Sequence, residues 1–139
     1  MTVLDHKHAR RVDEYIDENH ESFAELGRDL FNVFGFDTDK DRISTQIRNL
    51  QQVASSAARF ADIEDFVKNQ MGKTGNKDWK KVGDRVLGDL QKLRTDSSAV
   101  AEETENAMAV RLRLARGWVR AVVSEYLYQV AKKQMENAS

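Results

Sequence analysis

Apolar residues recur three and four positions apart along most of the chain, with polar and charged residues between them. That is the helical period, and no sustained apolar–polar alternation of the strand kind replaces it. A first helical region is predicted from about Asp5 to Phe34, with Val12, Ile16, Phe23, Leu26, Leu30 and Phe34 as its buried side. The phase weakens in "DENHES", so a break is expected near Asn19. Gly35 is the expected stop, and Thr38 with Asp41 resembles a capping box for a second helix from about Asp39 to Arg59. A short third helix, about Asp62 to Met71, turns Ile63, Phe66, Val67 and Gln70 inward before the glycine-rich break "GKTG". A fourth, about Lys77 to Leu93, buries Trp79, Val82, Val86, Leu87, Leu90 and Leu93, and "RTDSS" then supplies turn and cap chemistry. The last helix, about Ser98 to Gln134, carries Met108, Leu112, Ala115, Val119, Val122, Tyr126 and Val130 on its apolar side.

Composition sharpens this pattern. The 139 residues include no proline and seven glycines, with 40% hydrophobic and 32% charged residues. A chain of that length without the usual helix breaker favours long helices. The expected fold is all-α, a single compact bundle of about five helices forming one domain over residues 1–139. There are no cysteines, which excludes disulfides, thiolate nucleophiles and cysteine-ligated zinc or iron–sulfur centres. No stretch has the apolar length of a signal peptide or a membrane span, so a cytoplasmic protein with no membrane contact is expected.

The net charge of −1 conceals a strong asymmetry. Between Asp13 and Asp29 seven acids face Arg28 alone, whereas Lys73, Lys77, Lys80, Lys81, Arg85, Lys92 and Arg94 make a basic region, and Arg111 to Arg120 holds four arginines without an acid. Such separation suits a polyanionic partner, or copies of the chain meeting acidic face to basic face. Two basic stripes have helical spacing. On the second helix Arg48, Gln52, Ser55 and Arg59 share a face without a carboxylate. On the last, Arg113, Arg116 and Arg120 share another, with Gly117 allowing a partner helix or strand to approach closely. Arginine's planar fork suits phosphate, and each stripe also has a plain alternative in pairing with the chain's own acids. Trp118 lies about 100° around the helix from Gly117, toward the core.

Catalytic chemistry finds no comparable foothold. "GKT" at Gly72–Thr74 lacks the upstream glycine of a phosphate loop, since Val67 stands there, and it follows a helix instead of a strand. His6, His8 and His20 have no metal-ligand spacing, and the Asp17–His20 pair alone does not make a di-iron site. Neither a catalytic triad nor a defined acid–base pair can be assembled. The expectation is a protein that is not an enzyme and has no cofactor or metal. No base-reading helix-turn-helix or exposed aromatic platform is evident either.

Three segments, "ISTQIRNL", "RFADIEDFVKNQMGK" and "DWKKVGDRVLGDL", resemble the small helical subunit of type III CRISPR effector complexes. The run Thr45–Gln46–Ile47–Arg48–Asn49–Leu50 carries the likeness most directly, and the whole spans about residues 40 to 93. The acidic first helix and arginine-rich last helix have no counterpart in it. The resemblance implies a non-catalytic bundle stacked in a ribonucleoprotein filament. Its partners would be guide RNA and target RNA, touched at their phosphates, the backbone and large subunits, and further copies head to tail. The residues it nominates, with the basic stripes, are Arg48, Gln52, Arg59, Lys73, Lys77, Lys80, Lys81, Arg113, Arg116 and Arg120. A helical protein–protein adaptor without a nucleic-acid role is the alternative. Its interface would be the wide apolar side of the last helix, Val119, Val122, Val123, Tyr126, Leu127 and Val130.

Overall fold

Helix-forming sequence becomes helix almost throughout. The computed structural model describes residues 6–37, 42–73, 75, 77–101 and 107–138. In chain order these form α1 (His6–Glu18), α2 (His20–Phe34), β1 (Phe36–Asp37), β2 (Arg42–Ile43), α3 (Thr45–Ser56), α4 (Phe60–Gly72), α5 (Lys77–Ala101) and α6 (Ala107–Ala138). The chain is all-α, with six helices among the described residues where about five were expected, because the first predicted region divides at Asn19. The division is slight. The Asn19 amide still donates to the Tyr15 carbonyl and the Phe23 amide to the Asn19 carbonyl, both at 3.1 Å, so α1 and α2 form one nearly continuous rod. The expected Thr38–Asp41 capping box lies outside the described residues.

The rod packs on α6 and α5, α4 packs mainly on α5, and α3 mainly on α6. The Asp96 carboxylate accepts from the Tyr15 hydroxyl and Asp29 from Arg85, so the rod runs antiparallel to α5. Trp118 reaches Asp89 and Arg111 reaches Ser97, so α6 also runs antiparallel to α5. At one end His8 Nε2 lies 2.7 Å from the Ala101 carbonyl, tying the start of α1 to the end of α5. At the other, the Tyr126 hydroxyl donates to the Gly35 carbonyl and accepts from the Ser44 amide. One phenol on α6 therefore holds both ends of the β1–β2 connection. Gly35, with φ of +60°, closes α2 in a backbone conformation that disfavours a side chain.

Three boundaries differ from the sequence expectation, each for a local reason. Helix α3 starts at Thr45, where the Ser44 side chain caps the Gln46 amide at 3.2 Å, and it stops at Ser56. Arg59 is thereby removed from α3 and becomes the N-cap of α4, its amide bonded to the Asp62 carboxylate at 3.1 Å. Helix α5 passes straight through "RTDSS", because those polar residues have tertiary partners. Arg94 pairs with Glu64 and lies over the Phe60 ring, Asp96 accepts from Tyr15, and Ser97 is buried beside Leu93 and Ala101. The last helix begins at Ala107, and its apolar phase starts elsewhere than expected, since Met108 is 59% exposed while Val110 and Leu114 are buried.

Buried residues from all six helices join in one core, with Trp79, Trp118 and Tyr126 its largest members. The Trp79 indole donates to Gln46 at 2.7 Å and packs against Phe34 and Phe66, fixing where α2, α3, α4 and α5 meet. Gln46 thus has a structural task. Helix α6 is the central rod, in contact with α1, α2, α3, α4 and α5. This explains the breadth of its apolar side. Val119, Val122, Val123, Tyr126 and Val130, the expected adaptor interface, are buried, and only Leu127 of that set is exposed.

Close approach at glycine sets the spacing of the rod on α6. A Cβ on Gly27 would lie 2.4 Å from the Val122 carbonyl oxygen, a backbone atom that cannot step aside, whereas one on Gly88 meets nothing within 4 Å. We expect Gly27→Ala to destabilise the fold by about 1–3 kcal/mol in urea unfolding despite alanine's better helix propensity. Gly88→Ala is the control and stabilises by about 0.5–1 kcal/mol. A second expectation concerns Asp89. Burial raises its pKa, opposed by the Trp118 indole N–H and the nearby Arg85 and Lys92. A carboxyl whose native pKa exceeds its unfolded value lowers stability as pH rises from the ordinary carboxylate range through the native pKa. Asp89→Asn is therefore expected to unfold at higher urea than the parent at pH 7, with the difference shrinking as pH falls below the ordinary carboxylate range.

Candidate nucleic-acid interface

The helices around α6 leave its N-terminal half uncovered along one strip, between α1 and α3. Arg113, Arg116 and Arg120 emerge there, all exposed. On the α1 side lies a groove of about 550 Å³ lined by Val12, Asp13, Ile16, Asp17, His20, the three arginines, Gly117, Ala121 and Ser124. On the α3 side lies a smaller one of about 230 Å³, lined by Gln51, Ser55, Arg116, Val119 and Arg120. Arg116 and Arg120 belong to both and form the ridge between them. Ser55 is also the inner end of the exposed Arg48–Gln52–Ser55 stripe on α3. Two stripes predicted separately are therefore neighbours.

Charge pairing within the chain sorts the cations. Arg28 binds Glu21 and Glu125 at 2.8 and 3.0 Å, and Arg85 binds Asp29 at 2.9 Å with Glu25 and Asp89 nearby. Much of the acidic run from Asp13 to Asp29 is thus answered internally. Arg59 pairs with Asp62 at 3.1 Å, and the Arg59 amide, with its guanidinium, holds the Asp62 carboxyl below the usual carboxylate range. Among the described residues Arg113 makes only a long, exposed contact with Asp13, at 3.8 Å. Arg48, Arg116 and Arg120 make no ion pair among the described residues. Arg48 also has no side-chain hydrogen bond among them.

The four lysines stand apart. Lys73 caps the end of α4, and Lys77, Lys80 and Lys81 lie on the first turns of α5, all exposed. They line neither groove, and Lys81 has Asp78 at 3.9 Å. Gly117 has the role expected of a close approach, but its neighbour is the chain itself. A Cβ there would lie 2.9 Å from Ile16 Cδ1 and Cγ1, so the glycine seats α1 against α6 and forms the floor of the larger groove.

Several lining residues escaped sequence reasoning. In the sequence Asp13 stands out only as part of the acidic run and Asp17 with His20 only as an isolated pair, and no motif singles out Ser124. The available signal was Ser124's position four residues after Arg120, on the same face of α6. An exposed aromatic ring, absent from the expectation, also appears. Tyr128 is 57% exposed, with the Lys132 ammonium 5.3 Å from its ring centre. Among the described residues no three His, Cys, Asp or Glu side chains cluster as a metal site, and no helix is long and apolar enough to cross a membrane. Two unpaired guanidinium groups on an open ridge, flanked by amide and hydroxyl groups, can grip successive phosphates without reading bases.

No protein-family model matches this chain, and no curated protein or solved structure matches it.

The groove floor can be probed directly. Gly117→Ala is expected to cost about 1–2 kcal/mol by overpacking Ile16. In an Ile16→Ala background the same change is expected to cost much less, since both close atoms are gone. A double-mutant cycle by urea unfolding reads this coupling, and additive effects would mean that α1 does not rest on Gly117.

Proposed function

We propose that this protein is a non-catalytic RNA-binding bundle that holds phosphate backbone along the Arg113–Arg116–Arg120 ridge of α6, with Arg48 and Gln52 of α3 extending the track. The observation carrying this is that Arg116 and Arg120 are shared by two grooves and make no ion pair among the described residues. In a chain with 23 acids against 22 lysines and arginines, two clustered arginines left unpaired on one ridge favour an external anion. The resemblance of residues 45–50 to type III CRISPR small subunits favours a specific setting. The chain would be the small subunit of an RNA-guided effector complex, touching guide and target RNA and neighbouring backbone and large subunits in the cytoplasm. A head-to-tail stack of copies has less support than charge asymmetry suggested, because Arg28 and Arg85 already answer part of the acidic run.

An adaptor role is favoured by one separate observation. Leu127, Tyr128 and Met135 are 43%, 57% and 73% exposed toward the C-terminal end of α6, a surface that shares only Leu127 with the one the sequence suggested. The two roles separate experimentally. RNA affinity is expected to fall about 10-fold or more between about 50 and about 200 mM salt, as two or three phosphate contacts require. Arg116→Glu with Arg120→Glu is expected to remove most of that affinity and flatten the salt slope, with unfolding stability retained. Reversal of Lys77 and Lys80 is expected to have a smaller effect. RNA binding that ignores both salt and the double reversal would defeat the proposal. Co-purification from cells that encode the chain tests the setting, with recovery of guide RNA and backbone subunits expected. Capture of one protein without RNA, lost on Leu127→Ser with Met135→Ser, would establish the adaptor instead.

A further inference from the structure

We infer that the α1–α6 groove is a nucleotide pocket, which takes one unpaired nucleotide of the bound strand, its base in the groove and its phosphate on the ridge. This rests on the backbone-binding role of Arg116 and Arg120 and adds to it what the larger groove does. Phosphate binding alone needs only the ridge. The groove beside it offers more than phosphate can use.

Its volume of about 550 Å³ falls within the range of small-ligand sites, which runs from about 300 to about 1,000 Å³. Its floor is apolar, made by Ile16, Gly117 and Ala121, with Val12 beneath. A phosphate gains nothing from such a floor, whereas a flat base covers apolar surface there. The imidazole of His20 and the arginine planes are surfaces on which a base can stack. The wall opposite the cations carries Asp13 and Asp17, and Asp17 makes no ion pair among the described residues. Carboxylates repel phosphate but accept from the amino groups of adenine, cytosine and guanine, or from ribose hydroxyls. Apolar floor, carboxylate wall and cationic rim together match a nucleoside monophosphate unit and match neither inorganic phosphate nor continuous duplex, whose bases are stacked away. Because Arg116 and Arg120 also border the α3 groove, a strand can continue from the pocket over the ridge toward Ser55.

Methyl chemical shifts of Ile16, Val12 and Ala121 in the full chain read the pocket directly. The probes are inorganic phosphate, ribose 5-phosphate and the four nucleoside 5′-monophosphates. We expect AMP, GMP and CMP to move these methyls at concentrations at least about 10-fold below those at which ribose 5-phosphate does, with UMP, which lacks an amino group, weaker. Asp17→Asn is expected to erase the difference between UMP and CMP. Ala121→Trp, which fills the groove from α6, is expected to abolish mononucleotide shifts at His20 while RNA-duplex binding survives. Equal response to ribose 5-phosphate and AMP would overturn the pocket and leave the ridge intact. Absence of any shift at these methyls while RNA still binds through Arg116 and Arg120 would do the same. Nucleotide shifts that persist in the Arg116→Glu, Arg120→Glu chain would instead show that the phosphate is held elsewhere, and would overturn the link between pocket and ridge.

Discussion

The close approach of the α1–α2 rod to α6 is the constraint from which the rest follows. Gly27 under the Val122 carbonyl and Gly117 under Ile16 leave no space for a side chain, so the rod lies on α6 at a distance that ordinary residues would forbid. With α5 and α4 also against it and α3 on the remaining flank, α6 is covered on most sides. Its apolar residues become core: Trp118 and Val122 are fully buried, and Tyr126 reaches out only to clamp Gly35 and Ser44. What stays open on its N-terminal half is a strip bounded by α1 and α3, and that strip is arginine-rich. The same packing that stabilises the bundle therefore selects which cations face solvent.

Internal pairing then decides which charges remain for a partner. The acidic run and the basic regions meet within the chain through Arg85, which binds Asp29, and more loosely through Arg113 and Asp13, while Arg28 takes Glu21 and Glu125 and Arg94 takes Glu64. These contacts are exposed or partly exposed, so each adds little to stability, and their larger effect is to withdraw cations and anions from outside use. Among the described residues Arg116 and Arg120 escape that pairing. Asp13 and Asp17 line the same groove, which favours a ligand that presents donors as well as phosphate.

Much of the fold was legible because helical periodicity and the absence of proline agree along the whole chain. The break at Asn19, the stop at Gly35, the inward Trp79 and Trp118 and the short α4 all follow from local pattern. The failures have a common cause, which is tertiary contact. "RTDSS" reads as a turn by propensity, yet Tyr15, Glu64 and Phe60 give its polar residues partners that keep α5 helical. Arg59 looked like part of one face with Arg48, but the chain leaves α3 after Ser56 and spends Arg59 on capping α4. The arginine stripe on α6 was visible from spacing alone. The groove was not, because it needs Ile16 of α1 to settle on Gly117, a meeting of residues about a hundred positions apart that no local pattern encodes.

The most direct test of the central claim is a map of where RNA touches the protein. Thiouridine-labelled single-stranded RNA, photo-crosslinked to the full chain and read by peptide mass spectrometry, is expected to mark α6 between Arg113 and Ser124, with secondary sites on α3 near Ser55 and at the α1–α2 junction near His20. Crosslinks confined to the lysines at the α4–α5 junction, or to the exposed apolar end of α6 beyond Leu127, would contradict it.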